Sequence, residues 1–213
     1  FNEETADAYE LGLNASFGDG AVLLNGAVYF QDIKGFQNLV FNGNNFVVFN
    51  APAESYGAEL DLMARPADGV TIQSGLSYNK VELTEDIVAG TTFVQGGEQL
   101  ARSPELTVTA AATNSWPLLT SIDALVHLNS RFVTEQSLAL TGAASNVMQD
   151  DFILVGGRIG LLSTNDTWSI SLFGENLLDE EFLLQTFQLP ELQSVAAYSG
   201  VPRTYGIEFR LNF

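Results

Sequence analysis

The chain has 213 residues, with 8 Lys and Arg against 26 Asp and Glu, a net charge of −18, and no cysteine. That balance excludes nucleic acid as a partner, because phosphate binding needs clustered cations, and the missing thiols exclude a disulfide framework or a Cys-ligated metal. At 46% hydrophobic residues the chain is too apolar for simple disorder, yet no run approaches the ~18 consecutive apolar residues of a membrane helix. No basic stretch followed by an apolar core marks a signal peptide, and the opening "FNEETADAYELGL" reads as the interior of a longer chain.

In chain order, the first strong pattern is Tyr9, Leu11, Leu13, Ala15 and Phe17 interleaved with Glu10, Gly12, Asn14 and Ser16. A period of two predicts a β-strand with one apolar and one polar face. After the turn residues "GDG", Val22, Leu24, Gly26, Val28 and Phe30 mark a second strand. The link over 34–55 has strand-like runs around an Asn/Gly turn in "FQNLVFNGNNFVVFN", so part of it continues the hairpin. The third strand sets Tyr56, Ala58, Leu60, Leu62 and Ala64 against Gly57, Glu59 and Asp61. After "RPADG" the fourth sets Val70, Ile72, Leu76 and Tyr78 against Thr71, Gln73, Ser77 and Asn79.

A long link from Glu82 to Pro104 precedes the fifth strand, Leu106, Val108, Ala110 and Ala112 opposite Thr107, Thr109 and Thr113. "SWPLLTS" leads to the sixth, Ile122, Ala124, Val126 and Leu128 opposite Asp123, His127 and Asn129. Beyond Val133–Asp150 the seventh carries Ile153, Val155, Ile159 and Leu161 opposite Gly156, Arg158 and Gly160. "STND" then precedes Trp168, Ile170 and Leu172, opposite Thr167, Ser169 and Ser171. The last long link, Leu177 to Pro202, ends at "TYGIEFRLNF", where Tyr205, Ile207, Phe209, Leu211 and Phe213 alternate with Gly206, Glu208, Arg210 and Asn212.

Nine strands therefore emerge, joined alternately by short turns and long links, with no helical period. Strands of about nine or ten residues match what a tilted membrane strand requires, and short links on one side with long ones on the other are the asymmetry of an outer-membrane barrel. Glu10, Glu59, Asp61, Asp123, Arg158, Glu208 and Arg210 all fall on the polar parity. A charge on the lipid face near the midplane costs about 2–4 kcal/mol for Arg or Lys, so this face must line a wet lumen. Aromatics gather near strand ends, with Phe17, Trp116, Trp168 and Phe213 at the short-turn side and Phe30, Tyr78, Phe132 and Tyr205 at the other, as girdles at two interfaces require. The fold class is all-β, a transmembrane antiparallel up-and-down barrel segment. A soluble β-sandwich, which buries its apolar face against a second sheet, is the alternative.

No reactive constellation emerges. The acidic pairs Glu3-Glu4 and Asp150-Asp151 and the "DEE" at 179–181 read as hydrated charge at strand ends and in loops. His127 is the single histidine, so neither a His metal cluster nor a triad can be built, and its parity makes it a hydrogen-bonded wall residue. "GGEQLARSP" lacks the Lys and helix of a phosphate loop. The chain is not expected to be an enzyme or to hold a cofactor or metal. Ligand contacts are expected from the long links. The scarce cations Lys34, Arg102, Arg131 and Arg203 suit an anionic ligand, and Phe36, Phe41, Phe46 and Phe93 an apolar or sugar-like one, with loop packing the alternative for each.

"SISLFGENLLDEEF" (169–182) and "GVPRTYGIEFRLNF" (200–213), with "NAPAESYGAELDL" (50–62) further back, together resemble the C-terminal barrel of TonB-dependent outer-membrane receptors, over nearly the whole chain. The resemblance implies a barrel of about 22 strands with a plugged lumen, of which residues 1–213 would be the C-terminal nine. Nothing here matches the plug, its TonB box or the earlier strands. It further implies an outer-membrane location in lipid and lipopolysaccharide, and uptake of a scarce nutrient such as a siderophore-like chelate, cobalamin or carbohydrate. The plug would engage the TonB complex. Thr204, Gly206, Phe209, Leu211 and Phe213 match the pattern read by the barrel-assembly machinery, although lipid-facing alternation alone would also produce it. A passive or structural outer-membrane barrel is the alternative function, and a soluble secreted partner-binding β-domain a further one.

Overall fold

A computed structural model describes residues 2–41, 46–89, 92–97, 99–138, 147–189 and 194–212. In chain order the strands are β1 (Thr5–Phe17), β2 (Val22–Phe41), β3 (Phe46–Ala67), β4 (Val70–Leu83), β5 (Ile87–Ala89), β6 (Thr92–Val94), β7 (Leu106–Leu119) and β8 (Ile122–Val133). They continue as β9 (Gln136–Ser137), β10 (Met148–Gln149), β11 (Phe152–Ser163), β12 (Trp168–Glu175), β13 (Leu183–Leu189), β14 (Ser194–Ser199) and β15 (Thr204–Leu211). One nine-stranded sheet runs β1-β2-β3-β4-β7-β8-β11-β12-β15, each strand beside its neighbour in the meander. The other six strands form three small hairpins, β5–β6, β9–β10 and β13–β14, one in each of the last three long links.

The register keeps the alternating apolar set read from each strand on one face. Tyr9 stands opposite Phe30, and Phe30 opposite Tyr56, on the apolar face. Lower on that face Trp116, Ala124, Leu161, Ile170 and Phe209 form one row across five strands. Among the described residues no second layer covers these side chains: Leu11, Leu13, Val28, Leu60, Leu172 and Ile207 are all exposed. A soluble sandwich would bury them. From Tyr9 to Phe17 the strand measures about 26 Å at ~3.3 Å per residue, a length that, tilted, suits an apolar band of ~25 Å. The opposite face carries the row Asn14, Asn25, Asp61, Gly75, Thr109 and Arg131, and all seven charges expected in the lumen lie on it.

The short-turn ends are tighter than the sequence suggested. β3 runs through Pro66 to Ala67, and β7 through Pro117 to Leu119. Both prolines sit where the register shifts, between Ala64 and Ala67 and between Pro117 and Leu119. A bulge can host Pro because a ladder hydrogen bond is already lost there. Gly69, between β3 and β4, has φ +75°, and a Cβ on it would lie 1.9 Å from the Ser115 carbonyl oxygen. Only glycine lets that turn close onto β7.

At the opposite end the strands outrun the membrane. β2 and β3 stay paired up to Phe41 and Phe46, past a shift between Ile33 and Phe36, as the Asn/Gly turn implied. There Ala51, Ala53, Leu83 and Val94 form a dry cluster, with Ile33, Phe36, Phe49, Ile87 and Leu100 packed around it. This apolar core, among the described residues, thus sits above the membrane band and fixes the link after β4 against the β2–β3 hairpin.

Candidate functional site

The polar face is a connected surface. Thr113, His127, Arg158, Phe173 and Gly206 lie in one cross-strand row from β7 to β15. His127 Nδ1 is 2.8 Å from Thr113 Oγ1, so the histidine is a wall residue, as its parity implied. Arg158 donates to Glu208 Oε1 at 3.1 Å and lies 5.9 Å from the Phe173 ring centroid. Phe173 covers Gly206, where a Cβ would come within 2.9 Å of the ring. A recess of about 360 Å³ opens here, lined by Thr113, Leu125, His127, Asn129, Gly157, Arg158 and Glu175. Its Arg, His and carboxylate suit mixed polar contacts and carry no excess charge of one sign.

A second network lies on β2–β4. Tyr29 reaches across Gly57 and donates to Asn79 Oδ1 at 2.9 Å. Asn79 Nδ2 donates in turn to Ser103 Oγ at 3.4 Å. Gln99 Nε2 donates to the Ser103 carbonyl at 2.8 Å, and Gln99 Oε1 accepts from the Val81 N–H at 3.1 Å. The upper lumen wall and the link after β4 are therefore joined by half-buried amides rather than by apolar packing alone.

The outward rim is likewise tied together. The Arg102 N–H donates to the Ser137 carbonyl at 2.8 Å, linking the segments after β4 and β8. Asn176, buried at the exit of β12 with φ +50°, holds the base of the last link. Its Nδ2 donates to the Glu180 and Val201 carbonyls at 2.8 and 3.2 Å, and its Oδ1 accepts from the Glu180 N–H at 2.9 Å. Arg203 pairs with Asp179 at 3.0 Å, and the Gly200 N–H donates to the Phe182 carbonyl at 2.7 Å. The two C-terminal motifs that stood out in the sequence are thus halves of one joint.

The expected ligand residues are spread around this rim rather than gathered in one pocket. Lys34 pairs with Asp7 at 3.4 Å on an exposed surface, and Phe36 packs against the dry cluster. Phe93 is exposed on β6 opposite Val88. Phe41 and Phe46 are register partners at the end of the β2–β3 ladder, and their side chains lie outside the described residues. Arg102 has φ +59° and is exposed; Arg131 is exposed in the lumen row beside Thr109 and Leu154. Lys34, Phe36 and Arg203 are thereby engaged by the fold itself. Of the terminal pattern, Thr204 and Gly206 face the lumen, Phe209 and Leu211 the apolar side, and Phe213 lies outside the described residues. Sequence reasoning missed Asn176 as a hub; its signal was a lone Asn at a strand exit followed by "LLD". Among the described residues no group of three or more His, Cys, Asp or Glu is arranged to hold a metal ion.

Comparison with known proteins agrees with this architecture. The family model described as TonB dependent receptor-like, beta-barrel, matches residues 1–177. The fold is similar to that of the ferric yersiniabactin uptake receptor of Yersinia pestis, with a TM-score of 0.80 and 19% identity over 99% of this chain and 30% of that one. The ferric-catecholate import receptor of E. coli K12 gives 0.71 and 17% over 98% and 27%. The ferripyoverdine receptor of the Pseudomonas aeruginosa outer membrane gives 0.73 and 16% over 99% and 27%. At these identities the likeness is one of fold, and this chain spans less than a third of the length of each receptor.

Proposed function

This chain belongs to the TonB-dependent receptor-like β-barrel family, and we propose that it forms the closing wall of a receptor that takes up a scarce nutrient with TonB-coupled energy. Its place is the outer membrane, and its relatives in fold are receptors rather than enzymes. The observation that carries the reading is the sidedness of the sheet. Tight turns close one end, while hydrogen-bonded hairpins rise from the other, between an apolar exterior and a polar lumen. A wall built so presents ordered surface outward and hydrated surface inward, as capture followed by passage through the lumen requires.

Further partners follow from the family. A plug and the remaining barrel strands, belonging to the same protein, complete the lumen, and the plug meets the TonB complex. The barrel-assembly machinery inserts the protein, and lipopolysaccharide surrounds its outward half. For the ligand, a ferric chelate of the siderophore kind is the first class to test, since the three receptors above are named for such cargo. The test compares source cells with and without the gene for accumulation of labelled ferric chelates, cobalamin and oligosaccharides. The expected result is loss of one labelled solute, with uptake in the parent cells abolished when the proton gradient is collapsed. Uptake that survives collapse would mean a passive barrel, and no difference for any solute would overturn the transport reading.

A further inference from the structure

We propose that the outward hairpins β9–β10 and β13–β14 are one docked unit, so that a displacement of either by a bound ligand is carried to the other. The contact between them is made of buried polar groups, each satisfied from the other side. Thr186 on β13 is 3% exposed, and its Oγ1 donates to the carbonyl of Leu138 at 3.0 Å; Leu138, just beyond β9, is 2% exposed. Gln149 on β10 is 8% exposed, and its Oε1 accepts the N–H of Leu183 at 2.6 Å. Its Nε2 donates to the Asp150 carbonyl at 3.0 Å, so both ends of that amide are engaged. Below the dock Phe152 and Phe182 stack with centroids 4.8 Å apart and planes 17° from parallel, joining the first residue of β11 to the link ahead of β13.

Two features make this a dock rather than two hairpins in passing contact. The bonds that join them lie in buried surroundings, where each is electrostatically stronger than it would be in water, and deleting one partner while the other stays buried leaves that group unsatisfied at full cost. The hairpins are moreover too short to be stable alone, since an isolated two-stranded ribbon is marginal in water. β9 and β10 are two residues each, paired as Met148 with Ser137 and Gln149 with Gln136, and the Leu138 N–H donates to the Val147 carbonyl at 2.8 Å. That small ladder depends on the β13–β14 ribbon seated on it.

The test is hydrogen exchange on the full-length receptor in detergent micelles without added ligand, comparing wild type with Thr186→Val. Valine keeps the shape and removes the donor. The expected result is exchange at least about fivefold faster at the Leu138 amide, the factor that one net hydrogen bond commands, although that amide bonds only within its own hairpin. Faster exchange confined to 183–199 would overturn the proposal. Gln149→Ala probes the same dock from the other side: the Thr186 and Ala197 amides of the β13–β14 ladder should exchange faster, and no change there would likewise overturn it. The role in ligand response rests on the uptake reading above. The dock is read in unliganded protein, so its failure and the failure of that reading are distinguishable.

Discussion

Asn176 sits in the left-handed region with its amide filled from two segments, so an apolar residue there would leave the Glu180 N–H and two carbonyls unpaired. At about 1 kcal/mol net for each lost bond, with strain added at φ > 0, Asn176→Leu should cost about 2–4 kcal/mol. Proteolysis within 183–199 should quicken while the sheet keeps its resistance; unchanged cleavage would refute the hub. Glycines divide in the same way. A Cβ on Gly57 would lie 2.2 Å from the Tyr78 carbonyl oxygen and 2.6 Å from the Tyr29 hydroxyl, whereas one on Gly12 would find nothing nearer than 3.7 Å. Gly57→Ala should therefore cost about 1–3 kcal/mol in urea unfolding from lipid vesicles, and Gly12→Ala about 0.5 or less. Equal effects would contradict the packing of Tyr29 over Gly57. The Arg158–Glu208 pair is half open to the lumen, each side chain 38% exposed. Glu208→Gln should thus change stability by about 1 kcal/mol at most.

The strands were legible in the sequence wherever two solvents met across the sheet. Between Tyr9 and Phe17, or Ile122 and Leu128, alternation records apolar exterior against wet lumen, and the structure places strands at both. Beyond the girdle that contrast ends. Asp7, Asp32, Glu54 and Glu82 form a cross-strand row on the exterior face, while Ile33, Ala53 and Leu83 on the inner face enter the dry cluster, so the polarity of the two faces is exchanged there while the ladder continues. The apolar-exterior alternation is therefore silent on strand extension above the membrane, and only the strand-like runs around the Asn/Gly turn marked it for β2 and β3. The two- and three-residue strands β5, β6, β9 and β10 were equally silent, because they are set by contacts with distant links and not by local pattern. The same contrast makes a direct prediction about facing. Val28 points to the apolar side and its neighbour Ala27 to the lumen. Val28→Lys should cost about 2–4 kcal/mol of vesicle-refolded stability, and Ala27→Lys under about 1. A reversed order would mean the faces are assigned the wrong way round.

As a whole, the sheet is a wall with two free sides: among the described residues β1 pairs only with β2 and β15 only with β12. Unpaired backbone groups are not tolerated in hydrocarbon, where only helices and closed barrels survive. On the proposed reading other strands of the same protein continue these nine, and residues 1–213 expressed alone should then yield no protease-resistant, heat-modifiable monomer. The candidate ligand residues were the least legible part, because their positions follow from how the links fold on one another, and three of them proved to be engaged in ion pairs or packing. The most direct test of the central claim is the size and location of the native protein carrying this sequence, detected in fractionated source cells with an antibody to 179–202. This stretch weighs 23.0 kDa and spans 27–30% of two of the matched receptors, so the account predicts an outer-membrane species roughly three to four times that mass whose gel mobility shifts on heating, as a closed barrel's should. A protein of about the mass of this stretch, or one recovered in a soluble fraction, would contradict it.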